Sequence, residues 1–129
     1  MSCLVDTNIL LRLAAVESPM HLAALRSITV LQSQGISLCV VSQNLVEFWV
    51  AATRPISSNG LGLTIDEAIQ EIRKLRILFV LNDDRPEIFP TWERLIQHYR
   101  VMGKQAHDTR LVAAMLVHNI PKILTFNVQ

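Results

Sequence analysis

The sequence predicts an α/β fold, a three-layer α/β/α sandwich around a central parallel sheet of four strands, with a fifth admissible. Three observations carry this. Short apolar segments recur along the chain, stretches of helical spacing separate them, and the segments lack the strict apolar–polar alternation of a sheet with one wet face. Strands that alternate with helices form a parallel sheet covered on both sides, because each parallel crossover has to return over a face.

The strands are expected at residues 3–5, 37–41, 77–81 and 122–125. Ahead of the second strand, Ser18-Pro19 offers an N-cap followed by proline at the first helical position, and Gly35 closes that helix. Ser42 caps a helix running to about Thr53. Thr64-Ile65-Asp66-Glu67 is a capping box, in which a hydroxyl and a carboxylate three residues apart each accept the other's backbone N–H. Ile65, Ala68, Ile69 and Ile72 follow at helical spacing, and after Pro86 so do Ile88, Trp92, Leu95, Ile96 and Tyr99. The last helix carries Leu111, Val112, Met115 and Leu116 and stops near Asn119-Ile120-Pro121. Residues 54–62, rich in Pro, Ser, Asn and Gly, form the one long loop. No repeat or linker divides the chain, so residues 1–129 are expected to form a single domain.

Half the residues are apolar and 18% are charged, which excludes a disordered chain. The formal charge of +1 excludes nucleic-acid binding driven by overall charge, so any RNA contact rests on a local patch. No apolar run reaches the roughly 18–20 residues that cross a bilayer. The start, Met1-Ser2-Cys3-Leu4-Val5-Asp6, lacks the basic segment and cleavage site of a signal peptide, and a cytoplasmic protein without membrane association is expected. Cys3 and Cys39 sit in apolar runs and read as buried free thiols, with no His or Cys at zinc-ligand spacing.

In an open parallel sheet, ligands bind beyond the carboxyl ends of the strands. Asp6 directly follows the first strand. Glu47 lies in the opening turns of the helix after the second, and is the only acid in a helix apolar nearly all round and expected to be buried. A carboxylate there needs a partner or a cation, since an unpaired buried charge is costly or shifts its pKa. Asp108 precedes Leu111, Val112, Met115 and Leu116 at helical spacing, which assigns it to their inward face near a helix N-terminus that favours negative charge. Three acids from distant parts of the chain thus aim at one edge, and a hard divalent cation with oxygen ligands relieves their mutual repulsion. Each acid also has a purely structural reading. Asp6 fits a cap or turn, Asp108 a cap or dipole residue, and Glu47 the partner of an interior Lys or Arg.

Four segments resemble those of PIN-domain proteins, in family order and across almost the whole chain. They are Leu4-Val5-Asp6-Thr7-Asn8-Ile9-Leu10, Ser42-Gln43-Asn44-Leu45-Val46-Glu47, His107-Asp108-Thr109-Arg110-Leu111-Val112-Ala113-Ala114 and Ile123-Leu124-Thr125-Phe126-Asn127. The subgroup they resemble most is the VapC-type ribonuclease toxins of toxin–antitoxin pairs. The resemblance implies an endoribonuclease with one or two Mg²⁺ or Mn²⁺ ions held by Asp6, Glu47 and Asp108. It also implies a small antitoxin partner and a homodimer. Thr7, Asn8 and Thr125 are expected to orient Asp6 or the water network. Asn127 stands where many family members carry a fourth acid, so it is expected to ligate weakly and to add no charge. The chain stops at Gln129, where relatives commonly continue with a further strand, and the fourth strand is then expected to be an exposed edge.

Arg12, Lys104 and Arg110, with Arg54, lie near these segments as candidate RNA contacts. His107 reads as a packed or capping residue, since neighbours on a helix point about 100° apart. His21, His98 and His118 share no site-like spacing, and Trp49 and Trp92 read as core. Residues 56–72 are a candidate surface for dimerisation or antitoxin docking. Two other classes stay open. One is a PIN-like binding or regulatory protein without catalysis. The other is a phosphotransfer or phosphatase domain, against which position 8 is Asn rather than the usual second Asp.

Overall fold

The computed structural model describes residues 1–126. The elements are β1 (Ser2–Val5), α1 (Thr7–Ala14), α2 (His21–Ser33), β2 (Ser37–Val41), α3 (Ser42–Thr53), α4 (Ile65–Leu78), β3 (Val80–Asn82), α5 (Ile88–His98), α6 (Gln105–Val117) and β4 (Lys122–Leu124). All strand pairs are parallel, in the order β3-β2-β1-β4.

The missing alternation in the strands has a direct cause. Cys3, Val5, Leu38 and Val40 point to one face of the sheet, where they pack with Ile9, Leu10, Ile28, Phe48 and Leu75 from α1–α4. Leu4, Cys39 and Val41, between them in sequence, point to the other, against Ile88 of α5 and Leu111 and Ala114 of α6. Residues 3–5 and 38–41 are therefore buried at every position, and each aliphatic side chain so covered contributes about 1.5–3 kcal/mol. The three predicted layers are present.

Four local details differ from expectation. A helix, α1, begins immediately after β1, where the sequence pattern indicated none; Asp6 caps it by accepting from Thr7 N at 2.8 Å, and Ile9 and Leu10 bury its inner face. Second, α2 starts at His21. Ser18 and Pro19 instead shape the preceding turn, in which Ser18 Oγ accepts from Met20 N at 3.2 Å. Third, Ser42 opens α3 without supplying its cap; the Asn44 side chain takes the Val41 N–H at 2.9 Å. Fourth, Ile77 and Leu78 end α4 rather than begin β3. The helical period Ala68, Ile72, Leu75, Phe79 carries on through them, which leaves Ile77 87% exposed.

The capping box at Thr64 is present, with Glu67 N donating to Thr64 Oγ1 at 3.1 Å and Thr64 N to Glu67 Oε1 at 2.9 Å. Those hydrogen bonds hold the Glu67 carboxyl below its ordinary range. The loop at 54–62 contains a short 3₁₀ turn, Ile56–Ser58, and folds back so tightly that a Cβ at Gly60 would collide with the Arg54 carbonyl. Ile56 and Ile65 in the region 56–72 are exposed. Both cysteines are free and buried, and burial raises their pKa values.

The sheet order places the functional edge. The connections after β1 and β2 cross one face through α1–α4, whereas α5 and α6 cross the other to reach β4 beside β1. The strand order reverses between β1 and β4, and a crevice opens at their carboxyl ends. Among the described residues β4 has a strand on one side only, and no described helix is long and apolar enough to cross a membrane.

Phe48→Ala is expected to lower stability by about 3–5 kcal/mol in urea unfolding, because the ring is fully enclosed. Glu67→Gln is expected to destabilise the protein at neutral pH. A carboxyl held low in the folded state adds stability above its unfolded pKa, about 4.3, and loses it as pH falls through the folded value. The gap between wild type and variant, followed by thermal melts across pH, should close below about pH 4.3.

Candidate active site

Asp6 stands where β1 becomes α1. Its N–H continues the ladder onto β4 by donating to the Leu124 carbonyl at 3.0 Å. Its carboxylate accepts twice, from Thr7 N at 2.8 Å on Oδ1 and from Thr125 Oγ1 at 2.8 Å on Oδ2. Asn8 fixes that second donor. Its Nδ2 donates to Thr125 Oγ1 at 3.0 Å, while its Oδ1 accepts from Phe126 N at 3.2 Å, so the end of β4 is clipped to α1.

Glu47 is joined to Asp6 through one residue. Thr7 Oγ1 donates to Glu47 Oε1 at 3.1 Å and accepts from Asn44 Nδ2 at 3.4 Å. Gln43 Nε2 donates to Glu47 Oε2 at 3.3 Å. Each threonine hydroxyl has a single proton, and both protons go to a carboxylate. Glu47 is half-buried rather than enclosed, because Val46 and Val50 leave one face of α3 open to solvent. No Lys or Arg pairs with it among the described residues.

Asp108 lies in the first turn of α6 and is exposed. The stripe it shares is a cavity wall, since Val112 is 46% and Leu116 55% exposed, while Leu111 and Ala114 form the buried face. Asp108 and Asp6 line one cavity of about 580 Å³, with Thr125 at its polar end and Val112, Leu116 and Ile123 along its apolar side. Glu47 borders a neighbouring cavity of about 510 Å³ with Gln43, His107 and Arg110. The structure thus joins Asp6 to Asp108 across a cavity and to Glu47 through Thr7. No three acidic, histidine or cysteine side chains among the described residues converge on one point. Asn127 lies outside the described residues.

The donor set suits a hard cation. Asp6 and Glu47 each accept two hydrogen bonds of the roughly four a carboxylate can take, which leaves oxygen lone pairs on both. Among the described residues none of the three acids is neutralised by a Lys, Arg or His. Oxygen donors of this kind suit Mg²⁺ or Mn²⁺ over softer metals.

Of the candidate RNA contacts, Arg12 is exposed at the end of α1 and Lys104 is exposed just before α6. Arg110 is engaged instead, donating to Gln43 Oε1 at 3.0 Å and pairing with Asp84 at 3.6 Å. Three histidines have local partners: His21 bonds the Arg12 carbonyl, His118 the Asp83 carbonyl, and His98 stacks edge-on with Tyr99, whereas His107 is exposed rather than packed. Trp92 braces α5 against the start of α6 by donating to the Ala106 carbonyl at 2.9 Å, and both tryptophans are half-buried rather than enclosed.

Two residues escaped the sequence reading. Asn44, at 0% exposure the one buried polar residue among those described, supports Thr7. Gln43 supports Glu47. The available signal was a pair of amides in the second acidic segment, one helical turn before Glu47.

A doubly wound parallel sheet with hydrogen-bonded carboxylates at its switch point places the protein among the α/β domains that bind ligands beyond the strand ends. More narrowly, the chain belongs to the PIN-domain family, whose profile matches residues 3–129. No curated protein matches the sequence. Its fold is similar to that of VapBC2 from Rickettsia felis, solved with a promoter DNA fragment (TM-score 0.73, 11% identity, covering 100% of this chain and 90% of that one). It is also similar to Mycobacterium tuberculosis VapC20, described as a Sarcin-Ricin loop cleaving toxin (TM-score 0.67, 17% identity, 97% and 89%). A third is VapBC-1 from nontypeable Haemophilus influenzae (TM-score 0.67, 17% identity, 98% and 87%).

Asn44→Leu is expected to cost about 1–3 kcal/mol in urea unfolding, because it leaves the buried Val41 N–H without an acceptor.

Proposed function

We propose that the protein is a Mg²⁺- or Mn²⁺-dependent endoribonuclease and the toxin of a toxin–antitoxin pair. One observation carries the reading: at the switch point of a PIN fold, Asp6 and Glu47 are held by neutral donors, with Asp108 across the cavity. Asp6, Glu47 and Asp108 hold the cation, and the Asn127 amide contributes a neutral oxygen. When bound, the cation supplies an activated water and charge stabilisation at the attacked phosphate. The protein's own groups do the rest. Thr7 and Thr125 fix the carboxylates, Asn8 fixes Thr125, and the apolar wall of Val112 and Leu116 keeps water from one side of the crevice. Arg12 and Lys104 are the RNA contacts free to reach a phosphate, and Arg110 reaches one by leaving Asp84.

The toxin assignment draws on the structural neighbours, one named as an RNA-cleaving toxin and others as toxin–antitoxin assemblies. A small antitoxin is the expected partner, and the exposed apolar region 56–72 serves it or a second copy of the chain. A second reading, a PIN-like binding protein without catalysis, is favoured by one observation: no three metal-type side chains converge among the described residues.

The test is RNA cleavage with Mg²⁺ or Mn²⁺, with and without chelator, in wild type and Asp108→Asn. Chelation is expected to abolish cleavage, and the substitution to reduce it beyond the roughly 10–100-fold that loss of an outer support causes. RNA that binds but survives every divalent ion would instead establish the binding protein.

A further inference from the structure

Glu47 and Asp108 stand on helices that pack on opposite faces of the sheet and scarcely touch. One side chain spans the gap. Gln43, a turn ahead of Glu47 on α3, donates from Nε2 to Glu47 Oε2 at 3.3 Å and to the His107 carbonyl of α6 at 2.8 Å. Its Oε1 accepts from Arg110 Nη1, also on α6, at 3.0 Å. The partners fix the orientation of the amide. A carboxylate and a carbonyl only accept, and a guanidinium only donates, so a flipped amide would face like groups at all three contacts. Arg110 is itself held by Asp84, in the loop after β3, at 3.6 Å. His107 and Arg110 flank Asp108, which lies in the first turn of α6.

We propose that Gln43 is a positioning residue that sets the Glu47 carboxylate relative to Asp108, and with it the fit of a divalent cation between them. The inference rests on the reading of Asp6, Glu47 and Asp108 as a cation site. It acts through orientation: a carboxylate whose second oxygen loses its donor can rotate, and a helix that loses its tie can shift away from the opposite ligand. Outer supports of metal ligands matter by this route. Gln43 is only half-buried, so an apolar side chain of similar length preserves the packing of α3.

The experiment is Mn²⁺ titration of the full chain followed by electron paramagnetic resonance, in wild type, Gln43→Met, Glu47→Gln and the double variant, with metal-free melting curves alongside. Gln43→Met is expected to weaken Mn²⁺ binding about 10–100-fold, while the metal-free melting temperature stays put. In the Glu47→Gln background the same substitution should change binding by about twofold or less, because its effect passes through Glu47. Gln43→Asn, one methylene too short to span the gap, substitutes for Gln43→Met if that variant does not fold, with a loss in the same direction expected. Wild-type affinity in the Gln43 variant, or an equal loss in both backgrounds, overturns the positioning role and leaves the cation site standing. Wild type that binds no Mn²⁺ overturns the cation site and the positioning role together.

Discussion

The carboxyl edge of the sheet depends on how the Asp6 carboxylate is held. A single residue follows β1, caps α1, continues the ladder to β4 and lines the crevice. Those tasks are compatible because one oxygen takes the helix's first N–H and the other takes a hydroxyl from the neighbouring strand. The geometry of β1, α1 and β4 is thereby referred to one group. Anything that moved the strand end would move the donor, and anything that moved the helix would move the cap.

Around this group the polar network spreads through small side chains. Asn8 and Asn44 each direct a threonine hydroxyl, and each threonine hands its proton to an acid. Short amides and hydroxyls have few rotamers to lose, so fixing them costs less entropy than fixing a lysine or arginine at the same place. They also leave the carboxylates without a cationic partner among the described residues. A site lined by Lys or Arg would be equally ordered, yet closed to a cation.

The parts of the fold that were legible in the sequence are those set by local chemistry. The capping box at Thr64 and the apolar runs of β1 and β2 declare themselves because short-range rules govern them. The helix α1 did not, since its cap is the residue also read as a candidate ligand and its short apolar run follows the strand without a break. The start of β3 was displaced because Ile77 looks like strand interior, whereas the helical period ending in Phe79 decides the register. Asp108 was placed at the correct helix end for a partly mistaken reason. Its spacing to Val112 and Leu116 is real, but that stripe faces a cavity, and periodicity cannot distinguish an apolar cavity wall from core. The links from Gln43 to α6 and from Asn44 to Thr7 were invisible for a different reason: they join residues far apart in sequence, and only the assembled sheet brings them together.

The two buried thiols show what strand parity can enforce. Cys3 and Cys39 lie on adjacent strands, but Cys3 pairs with Leu38 and Cys39 with Leu4, so their side chains leave the sheet on opposite faces. A disulfide needs its two Cβ atoms within about 3.5–4.5 Å and turned toward each other. Slipping one strand by a single residue would align them, but it would also turn every core side chain of that strand to the wrong face. The pleat itself keeps the pair reduced with respect to each other, and oxidising surroundings alone could not cross-link this sheet.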